Sequence, residues 1–221
     1  FSCKVVGGID YCADNVDCSV SDNDPMDVNG HGTHVSGIAA ANGTINGVAP
    51  NAHVIMIKAG NASGAFWDDD LRAAIDWCVN NASRYNISVI SMSLGGGAYT
   101  SYCDGQDDPN DLTLAINNAF AKNISVVVSA GNTGYSDKIS SPACITNATP
   151  VTSVRKTDAT FDYNRNLIVD LAAPGVSINS TYLSASGYAE LDGTSMSAPH
   201  IAGAVVLMKQ YLRLIGITKT P

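Results

Sequence analysis

The sequence predicts an α/β fold in which helices flank a mostly parallel central sheet. Three short runs rich in β-branched residues, at positions 52–58, 87–91 and 124–129, are typical of strands buried on both faces. Two amphipathic segments lie between these runs, at positions 68–85 and 111–122. Strands that alternate with helices in this way favour right-handed crossovers and a parallel sheet covered on both sides.

Each predicted helix has one apolar face, because its apolar residues recur every three or four positions. Asp68 is placed to cap the N-terminus of the first helix. The apolar positions are Leu71, Ile75, Cys78, Val79 and Ala82 in the first helix, and Leu112, Ile116, Ala119 and Phe120 in the second.

The composition is that of a folded globular protein. The chain has 221 residues, of which 45% are hydrophobic and 14% charged, and no internal repeat divides it, so we expect one domain over residues 1–221. Its formal net charge of −8 disfavours nucleic acid or an anionic membrane surface as the main partner. No run of 18 apolar residues occurs, so no membrane span is expected.

The cysteines indicate an oxidising compartment. There are six, without the Cys-X-X-Cys spacing of zinc sites, and their even number and scattered positions suit disulfides. Cys103 and Cys144 follow strands on the same side of the predicted sheet, so we favour that pair. Cys3 is a candidate partner for Cys12 or Cys18, and Cys78 is expected to be a free, buried thiol. Seven Asn-X-Ser/Thr sequons also favour a secreted or extracytoplasmic protein.

Two segments rich in glycine and serine follow the second and third predicted strands. They are SMSLGGG at 91–97 and SAGNTG at 129–134. Ligands bind beyond the carboxyl ends of parallel strands, which makes both segments candidates for a binding site. Tight turns alone are the more ordinary explanation for each of them.

The segment GTSMSAPH, at 193–200, opens a predicted helix over residues 195–214. Pro199 is expected within the first turn, where its missing N–H costs little. A hydroxyl at a helix N-terminus lies among unpaired N–H groups and the positive end of the dipole, which also stabilise an oxyanion. For an isolated serine, the ordinary interpretation is a helix cap.

Ser195 is not isolated, because three further motifs precede its segment. HGTHVSG begins at His31, SMSLGGG at Ser91 and SAGN at Ser129. Four motifs in this order resemble the subtilisin-like serine peptidases, or subtilases, over nearly the whole chain. The resemblance implies a three-layer subtilisin-like fold. Ser195 does not lie in a G-x-S-x-G elbow, which disfavours an α/β-hydrolase esterase.

The resemblance implies a role for residues of each motif. Ser195 is the expected nucleophile, His31 its base and Asn132 the amide of the oxyanion hole. The segments that correspond to the substrate-binding strands supply Ser93, Leu94, Gly95, Ser129, Ala130 and Gly131. The expected reaction is hydrolysis of peptide bonds through an acyl-enzyme, in which the histidine takes and later returns the serine proton.

A Ser–His pair needs a carboxylate to orient the imidazole, and in the subtilisin order that Asp precedes the His. By the resemblance, this Asp ends the first core strand in an apolar-run-Asp-[Ser/Thr]-Gly motif, which residues 1–30 lack. We therefore expect a partial catalytic domain, cut at both ends and without the first core strand, whose Asp lies upstream of Phe1. Removing the Asp alone slows a subtilisin by roughly 3 × 10⁴-fold, so this fragment is expected to be impaired.

Asp10 is the substitute that the sequence offers for this carboxylate, since it follows an apolar–glycine stretch. However, KVVGGIDY resembles the segment after the catalytic strand in several subtilases, where such an Asp is ordinary. Five further aspartates form an acidic loop of the kind that is usually solvated: Asp14, Asp17, Asp22, Asp24 and Asp27.

His31 and His34 lie three positions apart, and a metal-dependent hydrolase is a weaker alternative on this spacing. A zinc site needs two more ligands, and position 32 is Gly where H-E-x-x-H has Glu, so no metal ligand is predicted. His34 and His200 are expected to be structural, and His53 carries no signal.

No cofactor is expected to be required. Many subtilases hold a structural calcium in the loop after the histidine helix, but the segment AAANGTINGVAP is short there, and no site is identified. The aspartates at 22–27 are a second candidate, although their spacing does not fit an EF-hand.

The expected partners are polypeptide substrates, taken with broad specificity and some apolar preference, and a propeptide. We expect a monomer that binds no nucleic acid. The main alternative to an active peptidase is an inactive fragment or pseudoprotease that acts as a binding module.

Overall fold

The computed structural model describes residues 4–12, 18, 20–106, 112–158 and 161–217. Its strands are β1 (Val5–Asp10), β2 (Val54–Lys58), β3 (Val89–Met92), β4 (Gly96–Tyr99), β5 (Ser125–Ser129), β6 (Ile139–Ser141), β7 (Ala148–Val154), β8 (Leu171–Pro174), β9 (Ile178–Thr181) and β10 (Tyr188–Leu191). Its helices are α1 (His31–Ala40), α2 (Asp68–Asn80), α3 (Ala82–Tyr85), α4 (Leu112–Ala121) and α5 (Thr194–Leu214).

The central sheet is parallel and has the order β3-β5-β7-β8. Alternate side chains of β5 enter two cores. Val126 and Val128 pack with α2 and α4 on one face, whereas Val127 packs against α5 on the other. The structure therefore confirms the three-layer α/β architecture with helices on both faces of a mostly parallel sheet.

Two-stranded sheets complete the architecture. β1 pairs with β2 in parallel, β4 with β6 and β9 with β10 in antiparallel. Within the described chain, β2 pairs with β1, and β3 pairs with β5. The strands β2 and β3 therefore do not pair with each other.

The prediction that all three apolar runs are buried on both faces is confirmed for one strand and wrong for two. Every residue of β5 is buried, as predicted. All five residues of β2 are only half-buried, and Ser91 of β3 is exposed. The difference arises because β5 has hydrogen-bonded neighbours on both edges, whereas β2 and β3 each border a cavity along one edge.

The predicted helices are present with two corrections. The segment 68–85 forms two helices, separated at Asn81, whose side chain donates to the carbonyl of Trp77 at 2.9 Å. Trp67 occupies the N-cap position, so the prediction for Asp68 is wrong by one residue. Asp68 instead lies in the first turn, where a carboxylate favours the positive end of the helix.

The disulfide between Cys103 and Cys144 is confirmed. Cys12 pairs with Cys18, so neither is left as a partner for Cys3, which itself lies outside the described residues. Cys78 is a free, buried thiol as expected, and burial raises its pKa to about 12. In the part of the chain that the structure describes, no helix is long and apolar enough to cross a membrane.

Candidate active site

A cavity of about 1310 Å³ lies between β2 and β3 and is lined by every residue of both strands. Helices α1, α2 and α5 also contribute to its walls. At the end where β3 continues into the SMSLGGG segment, the cavity is lined by His31, Asn132 and Ser195. The structure thus brings the three expected catalytic residues to one cavity at the carboxyl end of the sheet.

Ser195 is the second residue of α5 and is fixed to the end of β3 by two hydrogen bonds. Its Oγ donates to the carbonyl of Ser93 at 3.3 Å, and the Ser93 Oγ donates to the Ser195 carbonyl at 2.7 Å. Pro199 explains the second bond, because it has no N–H to offer the carbonyl four residues earlier. The prediction that Pro199 lies in the first turn is wrong, since it is the sixth residue of the helix.

The turn before Ser195 requires glycine. Gly193 has a φ of 137°, and a Cβ there would lie 3.0 Å from the Nδ2 of Asn132. This close approach brings the asparagine against the first turn of α5.

Asn132 is oriented by Thr194, a residue that the sequence interpretation did not single out. The Oδ1 of Asn132 accepts from the Thr194 N–H at 2.9 Å and from its Oγ1 at 2.8 Å. Because the Thr194 N–H can only donate, the Asn132 atom that faces it is the Oδ1, and the Asn132 Nδ2 points away from Thr194. No described residue accepts a hydrogen bond from this Nδ2, so it is free to donate to an oxygen in the cavity.

His31 is the first residue of α1, after Gly30 with a φ of 98°. Burial and, secondarily, the charge of His34 lower the pKa of His31, while Asp27 acts in the opposite direction. Within the described residues, the imidazole makes no hydrogen bond, either to Ser195 or to a carboxylate. Base and nucleophile therefore share the cavity without being bonded to each other.

Asp27 fixes the helix that carries His31. Its carboxylate accepts from the N–H groups of Asn29, Gly30 and Thr33 at 2.7–2.9 Å, and from the Thr33 Oγ1 at 2.6 Å. Burial alone raises the pKa of Asp27, but these hydrogen bonds outweigh it and lower the pKa. The expectation of a solvated aspartate is wrong here. The signal in the sequence was an Asp three residues before the N-cap glycine.

Asp10 is 1% exposed and has other partners. Its carboxylate forms a salt bridge with Lys58 at 2.7 Å and accepts from the N–H of Cys12 at 2.6 Å. It lies at the end of β1, beside Lys58 in the register of the β1–β2 pair. In this arrangement Asp10 joins two neighbouring strands and does not contact His31.

His34 and His200 bond to backbone carbonyls. His34 is fully buried, and its Nε2 lies 3.1 Å from the carbonyl oxygens of both Ile178 and Ala189. Burial lowers its pKa, and the two carbonyls partly oppose that effect. The Nδ1 of His200 lies 2.8 Å from the carbonyl of Met196. Among the described residues, no group of three or more His, Cys, Asp or Glu side chains could hold a metal ion.

The residues considered for calcium are engaged in local bonds. Asp22 accepts from the N–H of Asp24 at 2.8 Å, and Asp27 caps α1. In the loop after α1, the Asn42 amide donates to the carbonyl of Pro50, and Asn46 accepts from the N–H of Gly43. The loop after α1 is therefore held by hydrogen bonds among its own residues.

The two glycine- and serine-rich segments lie side by side. The Ser129 Oγ donates to the carbonyl of Leu94 at 3.1 Å, and Ser93, Leu94, Gly95, Ser129 and Gly131 all line the cavity. Ala130 is fully buried and does not line it. The Ala130 N–H donates to Val151, and its carbonyl accepts from Ser140, so both backbone groups are already used.

A serine and a histidine at the first turns of two helices, facing one cavity beside a free amide donor, define a candidate serine hydrolase. The family follows from comparison with known proteins. The model of the subtilase family, Peptidase_S8, matches residues 9–216. The chain belongs to this family.

Relatives of known name agree with this assignment. The chain is 36% identical over 222 residues to the major intracellular serine protease of Bacillus subtilis (strain 168), covering 94% of this chain and 63% of that protein. It is 40% identical over 191 residues to subtilisin Savinase of Lederbergia lenta, covering 84% and 65%. A cold adapted subtilisin-like serine proteinase of known structure superimposes with a TM-score of 0.77 and 32% identity, covering 96% and 70%. The chain thus spans less than two thirds of the length of the first two proteins.

Proposed function

We propose that this chain is part of the catalytic domain of a serine endopeptidase. The observation that carries the proposal is the placement of Ser195, His31 and the free Asn132 Nδ2 around one cavity. Peptidases among its relatives make polypeptides the expected substrates.

In the proposed reaction, the Ser195 Oγ attacks a peptide carbonyl while His31 takes its proton. The Asn132 Nδ2 and the Ser195 N–H then hold the negative charge that develops on the carbonyl oxygen. His31 returns the proton to the leaving amine. A water molecule then attacks the acyl-enzyme while His31 takes its proton, and His31 gives that proton to the Ser195 Oγ as the acid product leaves. The lowered pKa of His31 favours the neutral imidazole that a general base requires.

The second part of the proposal is that the triad Asp is carried by a strand from upstream of Phe1. β2 bonds to β1 and β3 to β5, and the opposite edges of β2 and β3 border the cavity. Val35, Ile75 and Val206 provide apolar side chains from three helices. An extended apolar segment fits such surroundings, and the carboxyl end of a parallel strand would lie on the His31 side.

An inactive chain that serves as a binding module is the second candidate. The observation in its favour is that, among the described residues, no carboxylate bonds to the His31 imidazole, and the Ser195 Oγ bonds to Ser93. This arrangement offers a cavity without an oriented base. The two candidates differ in whether the upstream segment restores reactivity to Ser195.

Labelling with a fluorophosphonate distinguishes the candidates. The probe is applied to this chain of 221 residues, to the protein extended at its N-terminus, and to Ser195→Ala in the extended protein. We expect fast labelling of the extended protein, no labelling of Ser195→Ala, and slower labelling of the short chain by roughly 10³-fold or more. Ser101→Ala, at an exposed serine outside the cavity, is the matched control and should label like the parent.

Absence of labelling in both parent forms would refute the peptidase proposal and favour the binding module. Equal labelling of the short and extended chains would refute the upstream Asp while leaving the nucleophile in place.

We further propose an extracytoplasmic location, which two disulfides support. A relative that is named intracellular shows that the family also occurs inside cells. The proposed form is a monomer that requires no cofactor, with a propeptide as a partner. Mass spectrometry of the protein purified from culture medium, without reducing agent, tests the location and both disulfides.

A further inference from the structure

A buried asparagine lies against the segment that carries Asn132. Asn164 belongs to the connection between β7 and β8 and is 0% exposed, although Phe161 and Leu167 on either side of it are exposed. Burying a primary amide is unfavourable unless its polar groups are hydrogen-bonded. The hydrogen-bond partners of the Asn164 side chain therefore indicate which part of the structure it stabilises.

The Asn164 side chain bonds to both ends of the loop 130–135. Its Oδ1 accepts from the Thr133 Oγ1 at 2.9 Å and from the Tyr135 N–H at 3.1 Å. Its Nδ2 donates to the carbonyl of Ala130 at 3.3 Å. The backbone N–H of Asn164 adds a bond to the carbonyl of Gly131 at 3.2 Å. Asn164 thus makes four hydrogen bonds to residues on both sides of Asn132 in the sequence.

Asn164 is itself anchored to the central sheet. The Thr152 Oγ1, in β7, donates to the Asn164 carbonyl at 2.6 Å. Asn132, Thr133, Gly134 and Tyr135 are exposed, so few apolar contacts hold this loop. Thr194 is a further anchor, since it accepts from the Gly131 N–H at 3.1 Å and orients the Asn132 amide. Backbone bonds hold the two ends of the loop, from Ala130 to Val151 and Ser140 and from Arg165 to Tyr135.

The close fit at Gly131 shows how tightly the two segments meet. A Cβ at Gly131 would lie 2.5 Å from the Asn164 Nδ2, and the φ of Gly131 is 107°. Glycine lets the loop pass directly over the asparagine amide.

We propose that Asn164 is a positioning residue for the oxyanion hole, holding the loop 130–135 so that the Asn132 Nδ2 faces the attacked carbonyl. This inference rests on the proposed peptidase function. Asn164 acts through Asn132 and does not touch the substrate. A displacement of about 1 Å in such a donor is enough to lower turnover by up to about 10²-fold.

The test is a double-mutant cycle in the N-terminally extended protein, with peptide hydrolysis as the readout. Asn164→Ala is expected to lower kcat roughly 10- to 100-fold with KM within about two-fold, because the lost interaction forms in the transition state. In the Asn132→Ala background, the same substitution should change kcat by less than about two-fold, because the donor that it positions is gone.

Thr133→Val is the second variant, since it removes one bond to Asn164 from an exposed position and leaves the core intact. It should lower kcat by about two- to five-fold and show the same loss of effect without Asn132. Asn166→Ala is the matched control. Its side chain lies two residues away and bonds to Tyr99 and Ile168, not to the loop, and its kcat should equal that of the parent.

Equal losses of kcat in the presence and absence of the Asn132 amide would overturn the proposal, as would an unchanged kcat in Asn164→Ala or Thr133→Val. An Asn132→Ala variant as active as the parent, or an inactive parent, would overturn the proposed function together with it. A slow Asn132→Ala with an unaffected Asn164→Ala overturns the positioning role alone.

Discussion

The region around β5 and the region between β2 and β3 differ in how completely they are built. In the first, β5 is hydrogen-bonded along both edges, and every residue is buried between α5 and the α2–α4 layer. In the second, β2 and β3 border a cavity, and all of β2 is half-buried. The candidate catalytic residues differ in the same way, in how many hydrogen bonds hold their side chains. Asn132 and Ser195 are held by hydrogen bonds, whereas the His31 imidazole has none within the described residues. This chain therefore orients the nucleophile, whereas on the base side Asp27 fixes the start of α1 but the His31 imidazole is left without a hydrogen bond from the described residues.

The two disulfides offer the largest expected contrast in stability. Replacing Cys103 and Cys144 by Ser should lower the free energy of unfolding by about 4 kcal/mol, because this bridge closes a separation of 41 residues in the core. Replacing Cys12 and Cys18 should cost about 2 kcal/mol, since that bridge spans only 6 residues. Urea unfolding of both double variants measures the difference. Equal costs would contradict the assignment of the greater stabilisation to the bridge that closes the longer loop.

The second prediction concerns the nucleophile side. Asn132→Leu in the extended protein should lower kcat by roughly 10²–10³-fold, the range known for removing one oxyanion-hole donor from a subtilisin. Its free energy of unfolding should fall by no more than about 1–2 kcal/mol, because Asn132 is exposed and the loss is limited to its two hydrogen bonds with Thr194. Asn118→Leu, at an exposed position of α4, is the control and should keep full activity. A large loss of stability in Asn132→Leu would indicate a structural role instead.

A matched pair of valines compares the packing directly. Val127→Ala, at a fully buried position of β5, should lower the free energy of unfolding by roughly 2–3 kcal/mol. Val54→Ala, at a half-buried position of β2, should cost less than about 1 kcal/mol in this chain. The cost at Val54 should rise towards that at Val127 in the extended protein. A constant cost at Val54 would show that the upstream segment does not cover β2.

The smallest expected effect is a pH dependence from His34, which ties α1 to β9 and β10. Its pKa is lowered in the folded state, so the unfolded chain takes up the proton first. The contribution of His34 to stability is therefore complete above the ordinary pKa of about 6.5 and decreases as the pH falls below it. His34→Gln, which keeps a donor but does not titrate, should show a flatter dependence of unfolding between pH 8 and 5. An unchanged pH dependence would refute this assignment.

Local patterns in the sequence predicted the parts of the fold that depend on few residues. The amphipathic periods located α2 and α4, and the small residues after Gly193 located α5. Burial of β2 and β3 was not predictable from the same patterns, because a strand's burial depends on which strands lie beside it. The apolar run of β2 has the composition of a core strand, and only the sheet order reveals its uncovered edge.

The candidate site shows a similar division. Motifs located Ser195, His31 and Asn132, whereas the residues that hold them are far away in sequence or unremarkable in type. Asn164 bonds to a loop some thirty positions earlier, and no local spacing marks it. Ser93 was predicted only as a substrate-binding residue, but its hydroxyl supplies the hydrogen bond to the Ser195 carbonyl that Pro199 cannot make. Such contacts arise from tertiary packing, which a motif does not encode.

Hydrogen exchange of the backbone amides in β2, β3 and β5 tests most directly the claim that an upstream strand completes the sheet beside His31. The measurement compares the chain of 221 residues with the N-terminally extended protein. The amides of β5 should exchange slowly in both, while those on the cavity-facing edges of β2 and β3 should become roughly 10²-fold slower or more in the extended protein. Exchange at β2 and β3 that stays fast in an extended protein with a reactive Ser195 would contradict the account.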